Sequence, residues 1–213
     1  MKHFFDDFPI FSRFISIDQQ LSLLLNFTLL TNDDIDPDSN ALELFNVSCN
    51  YYLPSEIKNI IDKLELQNKF LVVHINARSL ENKLNQVSLL TTSLNVDIDV
   101  IAVTESWETV DNADFLQIHG YLKVSNRRQD GRNGGGVALF INQKLIFSVK
   151  DIVSATFESV FIEICNQKSK RKTIIWAIYR PPDTDHSLFN KEFQNLIIDL
   201  SPIKSVFLQA TII

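Results

Sequence analysis

Phe70-Leu71-Val72-Val73-His74-Ile75 is the stretch that leaves this chain the fewest choices. It is short, apolar and rich in β-branched residues, which reads as a strand covered on both faces, and such a strand needs a layer on each side. Ser79 follows, and then Leu80, Leu84, Val87, Leu90 and Leu94 recur at three- and four-residue steps, the stripe of an amphipathic helix. Val100 to Val103 is a second run of the buried kind. Strand, helix and strand of these lengths make a crossover unit, so the two strands are expected to be neighbours in one sheet.

Beyond a loop come four more apolar runs: Val137 to Ile141, Leu145 to Val149, Val160 to Ile164 and Ile174 to Tyr179. Short polar turns separate most of them, which predicts antiparallel pairing. Leu188, Phe189, Phe193, Leu196, Ile197 and Leu200 mark a last helix that stops near Pro202, and Ser205 to Leu208 begins one more strand. The class is α/β, with mixed sheets flanked by helices.

Residues 1–69 have a different character. Five Lys/Arg stand against eleven Asp/Glu there, which accounts for the whole net charge of −6, whereas residues 70–213 carry fifteen of each. The sequence therefore divides into an acidic, partly helical flank, 1–69, and a domain, 70–213. In the flank, Asp18 is expected to cap a helix through Leu30, and Pro54-Ser55 to open another carrying Ile57, Ile60, Ile61 and Leu64. Asp34, Asp36 and Asp38 imitate a calcium loop, but Ser39 stands where its glycine belongs and Phe45 where its bidentate glutamate belongs. Cys49 and Cys165 have no CxxC partner, which reads as two thiols in a reducing compartment. The apolar start is interrupted by Asp6, Asp7, Arg13 and Asp18, so no signal peptide and no membrane span are expected. The expected location is intracellular, nuclear or cytoplasmic.

Three polar residues sit at the ends of predicted buried strands, where sheet enzymes place their chemistry. They are Asn76, Glu105 in Val103-Thr104-Glu105-Ser106-Trp107, and Tyr179 in Ile178-Tyr179-Arg180-Pro181-Pro182. An amide, a carboxylate and a phenol suit a hard, oxygen-seeking ion such as Mg²⁺ with a phosphate beside it. Read singly, each has a local explanation as a turn cap or a rigid strand exit. Arg127, Arg128 and Arg132 precede Gly134-Gly135-Gly136, and Lys168, Lys170, Arg171 and Lys172 form a second basic loop. The arginines read equally well as phosphate-backbone contacts or as a solvated turn, and the lysines read as a solvated turn. The glycines are not a P-loop, since no Lys-Ser/Thr follows, and are expected to form a tight entry into the strand at Val137.

Taken in order, Asn76, Glu105-Ser106-Trp107, Gly134-Gly135-Gly136-Val137, Glu158-Ser159-Val160-Phe161 and Tyr179-Arg180-Pro181-Pro182 resemble the endonuclease/exonuclease/phosphatase superfamily. The closest resemblance is to the branch encoded beside reverse transcriptases in non-LTR, jockey-like retrotransposons, over Phe70 to Leu208. The resemblance implies two packed sheets between helices and hydrolysis of phosphodiester bonds in DNA with a divalent ion. It implies that Glu105 holds Mg²⁺, that Asn76 supports metal and phosphate, and that Tyr179 bonds a phosphate oxygen. It names no small-molecule cofactor.

The sequence departs from that pattern at its end. Where the family has Gly-Asp-x-Asn this chain reads Gln209-Ala210-Thr211-Ile212-Ile213, and the Ser-Asp-His ending of the family is absent. His74 reads as a core residue, and His3, His119 and His186 fall in terminal or turn positions. Catalytic groups act as a unit, and losing one already costs about 10⁴–10⁶ in rate. The expectation is a truncated, inactive nuclease with a partial two-sheet sandwich, whose exposed sheet surface calls for a partner chain or chaperone. The alternatives are a domesticated DNA-binding or interaction module that does not cut, and a gene-model fragment of a longer enzyme.

Overall fold

The computed structural model describes residue 59 and residues 70–94, 97–128, 134–165 and 172–200, position 93 by its backbone alone, with five further strands likewise described by their backbone. In chain order the strands are β1 (Phe14–Ile17), β2 (Leu23–Asn26), β3 (Cys49–Tyr52), β4 (Val72–Asn76), β5 (Val100–Thr104), β6 (Tyr121–Asn126), β7 (Val137–Asn142), β8 (Phe147–Lys150), β9 (Glu158–Cys165), β10 (Lys172–Arg180), β11 (Val206–Phe207) and β12 (Ala210–Ile212). The helices are α1 (Leu80–Ser93) and α2 (His186–Leu200).

The strands form two sheets. One runs β3-β2-β1-β4-β5-β7-β6 and the other β11-β10-β9-β8, with β12 also on β10. The expected crossover is present: β4 and β5 are parallel, joined through α1, with Asn76 opposite Thr104. β7 runs antiparallel to β5, and β9 is antiparallel to both β8 and β10. Two expectations need correction. β7 and β8 are consecutive but lie in different sheets, so the chain changes layer between them. β2 occupies part of the helix expected from Asp18 to Leu30, because a short leucine run fits either period and strand pairing decides. The helix expected after Pro54 and the acidic Asn32 to Asn40 loop lie outside the described residues. β1 pairs parallel with β4, so strands from residues 1–69 continue the first sheet.

Burial follows from these layers. α1 sets Leu80, Val87, Leu90 and Leu94 against Val73, Ile75, Ile101, Val103 and Phe140 on the outer face of the first sheet. Val72, Val100, Ala102, Leu139 and Ile141 face Val160, Ile162, Ile175, Ala177 and Tyr179 across the space between the sheets. This is why β4, β5 and β7 are apolar on both faces. α2 covers the second sheet with Phe189, Leu196 and Leu200 against Phe161, Ile174, Trp176 and Ile178. Edge-to-face contact of Phe161 with Trp176, centroids 5.2 Å apart, makes this third layer aromatic where the first is aliphatic. The result is an α/β sandwich of helix, sheet, sheet and helix, the fold expected from the sequence. Among the described residues no helix is long and apolar enough to cross a membrane.

Candidate functional site

The polar strand ends picked out in the sequence converge at one end of the sandwich. Asn76 closes β4 and Glu105 follows β5, and because these strands are parallel neighbours both side chains leave the sheet at the same edge. The Asn76 amide Nδ2 donates to Glu105 Oε1 at 3.2 Å. The other amide atom, Oδ1, is buried and has no hydrogen-bond partner. Tyr179, in β10 of the second sheet, is buried, and its phenol is pushed above the ordinary tyrosine range, first by burial and then by the charge of Glu105. Tyr179 is therefore a neutral O–H donor at physiological pH, close enough to Glu105 to feel its charge.

The backbone around Glu105 is fixed from two sides. On one side, the carbonyls of Thr104, Glu105 and Ser106 accept from the N–H groups of Ala77, Ser79 and Leu80, at 2.9, 3.0 and 3.0 Å. On the other, the N–H groups of Ser106 and Trp107 donate to Gly136 O at 3.1 Å and Gly135 O at 3.0 Å. Five hydrogen bonds on four residues hold Glu105 and Trp107 at φ of 52°, a left-handed conformation for both. Such a conformation costs about 1–3 kcal/mol per residue and survives only where its surroundings over-determine it.

The glycine triplet does more than enter β7. Gly134, Gly135 and Gly136 all have positive φ, and two of them pass where no side chain fits. A Cβ on Gly136 would stand 2.5 Å from Ser106 Oγ, and one on Gly135 would stand 2.8 Å from a Glu158 carboxylate oxygen. Glu158 opens β9, lies opposite Tyr179 in the β9–β10 register, and accepts the Gly136 N–H with Oε2. Its Oε1 lies 3.2 Å from Arg128 Nε, both side chains being mostly shielded from water. Sequence reasoning took Glu158 as part of a motif without a role, since its contacts depend on the register between distant strands.

Of the arginines named in the sequence, Arg127 and Arg128 lie just after β6 and Arg132 falls outside the described residues. Arg127 and Arg128 line a cleft of about 730 Å³, with Lys150, Asp151, Glu158 and Pro181 among its other walls. Arg128 turns to Glu158 instead of standing as an isolated phosphate contact. In the lysine loop only Lys172 is described, and it pairs with Glu163 at 3.0 Å.

His74 is a core residue, as its strand context predicts. Its Nε2 lies 3.1 Å from Thr104 Oγ1, and burial lowers its pKa to about 4. It is neutral and enclosed, not a base exposed to a substrate water.

Among the described residues no three His, Cys, Asp or Glu side chains gather as a preformed metal cage. Mg²⁺ does not need one, because it keeps several waters and is commonly held by one or two protein oxygens together with substrate phosphate. A Glu105 carboxylate beside a buried, unpartnered Asn76 carbonyl is a hard-oxygen pair that fits such an ion.

No family model matches the sequence, and no curated protein matches it. The chain is similar to solved structures of the human Nocturnin catalytic domain with bound sulfate, at 15% identity and a TM-score of 0.41, over 57% of this chain and 52% of that one. It is similar to a Neisseria 3′ phosphatase bound to a product DNA hairpin, at 17% identity and a TM-score of 0.42, over 65% and 56% of the two chains. It is similar to an AP endonuclease from Leishmania major, at 13% identity and a TM-score of 0.40, over 62% and 45%. The chain spans about half the length of these solved proteins. Likenesses this distant assign no residue a role.

Proposed function

We propose that this chain carries the metal- and phosphate-holding part of a Mg²⁺-dependent phosphodiesterase site for DNA, of the kind found in non-LTR retrotransposons. The observation that carries the reading is the Asn76 carbonyl, buried and unpartnered beside the Glu105 carboxylate. An orphaned buried oxygen costs roughly 1–3 kcal/mol, a cost that folding alone does not justify and a bound cation removes. Glu105 and Asn76 are assigned to the metal. When bound, Mg²⁺ supplies positive charge to a phosphoryl oxygen. Tyr179, neutral and in reach of the same charge, donates its O–H to phosphate. Motif order in the sequence supports the retrotransposon assignment.

The reading extends to catalysis: among the described residues, neither enclosed candidate for a base is available to a substrate water, so the chain is proposed to be inactive by itself. Hydrolysis needs a base to take a proton from water. His74 is enclosed in the core, and the Glu158 carboxylate is committed to Arg128 and Gly136. Mg²⁺ is expected to raise the unfolding midpoint of the wild-type chain and to leave Glu105→Gln unchanged. Equal stabilisation of both would remove the metal assignment. Nicking of supercoiled plasmid that requires both Mg²⁺ and Glu105 would instead remove the claim of inactivity.

A DNA-binding module that does not cut is the second reading, favoured by Arg127 along the cleft. It requires duplex affinity that falls steeply with salt and weakens on reversal of the Arg127 charge.

A further inference from the structure

We infer that Glu158, held by Arg128, is a positioning residue that sets the loop carrying Glu105, acting through the backbone of Gly135 and Gly136. The chain of contact is continuous. Arg128, just after β6, places its Nε 3.2 Å from Glu158 Oε1. The other carboxylate oxygen accepts the Gly136 N–H. Gly135 runs so close over the carboxylate that a Cβ there would stand 2.8 and 2.9 Å from its two oxygens. The carbonyls of these two glycines receive the N–H groups of Trp107 and Ser106, the two residues after Glu105.

Glu158 thus fixes one face of a two-residue glycine arch whose other face fixes the strained turn. A second tie keeps the anchor in place, since Asn126 Nδ2 donates to Ser159 O at 3.2 Å and joins the end of β6 to the start of β9. The anchor also lies at the join of the two sheets: Glu158 opens β9 of the second, while the glycines lead into β7 and Glu105 follows β5 of the first. It therefore registers Tyr179, directly opposite Glu158 on β10, against Glu105. Burial supports the assignment. Both members of the ion pair are mostly enclosed, so the carboxylate is not an exposed ligand awaiting a partner. Arg128 is accordingly a structural partner of this anchor rather than a free contact for DNA.

The inference leans on the reading of Glu105 as a metal-holding residue only for its effect on metal affinity; the effect on the loop is independent. Amide hydrogen exchange in the full chain separates them. Glu158→Gln keeps an oxygen for the Gly136 N–H and loses the charge pair, and Arg128→Gln removes the pair from the other side. Both variants are expected to speed exchange of the Ser106 and Trp107 amides by on the order of tenfold while the β5 interior stays protected. The double variant should exceed either single one by little, because the pair acts as one unit. Mn²⁺ affinity is expected to fall about 10–100-fold in the same variants, the usual size for groups that orient a ligand. Unchanged exchange at Ser106 and Trp107 in a folded Glu158→Gln chain would overturn the inference. Equal loosening of β5, β7 and β9 would overturn it too, as the mark of a merely structural pair. If the wild-type chain binds no Mn²⁺, the functional proposal fails, and the exchange of these two amides still decides this one.

Discussion

The two ends of β4 and β5 treat their polar groups in opposite ways. At the starting end, Asp99 Oδ2 accepts the Leu71 N–H at 2.8 Å, and the Asp99 N–H returns to Leu71 O at 2.9 Å. Asn142 N–H reaches Asp99 O, and Tyr121 OH and Asn142 Nδ2 both donate to Ile98 O, at 2.9 and 3.3 Å. Every one of these groups is spent on closing the sheet. At the finishing end the backbone is just as fully bonded, yet the side-chain oxygens of Asn76 and Ser106 are buried without partners. One sheet, built from the same kind of strand, is sealed at one end and left chemically open at the other. A sealed end is what stability alone would produce; the open end is the one to which the proposed metal site is assigned.

The largest expected effect attacks the backbone of the open end. Gly136→Ala places a Cβ on Ser106 Oγ at a φ of 82°, so it combines a left-handed penalty with overpacking. A loss of about 2–5 kcal/mol in urea unfolding is expected. A neutral result would mean the glycine arch does not hold the turn.

Side-chain deletions sharpen the contrast. Asp99→Ala leaves the Leu71 N–H without its acceptor and is expected to cost about 1–3 kcal/mol. Asn76→Ala removes an oxygen that already has no partner and one bond to Glu105, so its cost should fall below about 1 kcal/mol. If Asn76→Ala proves the more damaging, the open end is structural after all. Tyr121→Phe should cost only about 0.5–1 kcal/mol, because Ile98 O keeps the Asn142 donor.

pH separates the ends more gently. Burial raises Asp99 from an ordinary value of 3.8 to about 6. The native state therefore holds that proton more tightly than the unfolded chain, and the stability it contributes is lost as pH rises from about 4 through 6. His74, lowered from 6.5 to about 4, has the opposite sign: its contribution is complete above 6.5 and is lost as pH falls toward 4. Between about pH 4 and 6 the contributions of these two groups have opposite slopes and largely cancel each other. Glu163 and Glu192 are held below the usual carboxylate range by the hydrogen bonds of Lys172 and Ser154. Asp99→Asn should leave His74 unopposed, and stability should then climb by up to about 1.4 kcal/mol per pH unit. A variant profile that stays flat would show that burial of His74 contributes nothing to stability.

From Phe70 on, much of the fold could be read from the sequence, because strands buried on both faces are continuously apolar and α1 keeps a clean helical period. β6 was not legible: Tyr121–Asn126 is an edge strand of half-exposed, mixed residues, with no run to find. The layer change between β7 and β8 left no local mark either, since the short polar turn between them is the kind that also joins the strands of a hairpin. In the candidate site, Asn76, Glu105 and Tyr179 were visible as polar residues ending apolar runs. Glu158 and its hold on the glycines were not, because their meeting depends on how β9 pairs with β10 and how the two sheets pack. For the same reason Arg128 read as a surface cation while the fold uses it inside an ion pair.

Paramagnetic broadening by Mn²⁺ in amide and side-chain NMR spectra tests the central claim most directly. Signals of Asn76, Glu105 and Tyr179 should broaden at low Mn²⁺ while those of Leu71, Asp99 and Asn142 stay sharp, and Glu105→Gln should abolish the effect. Broadening confined to the Asp97 and Asp99 end, or unchanged by Glu105→Gln, would contradict the account.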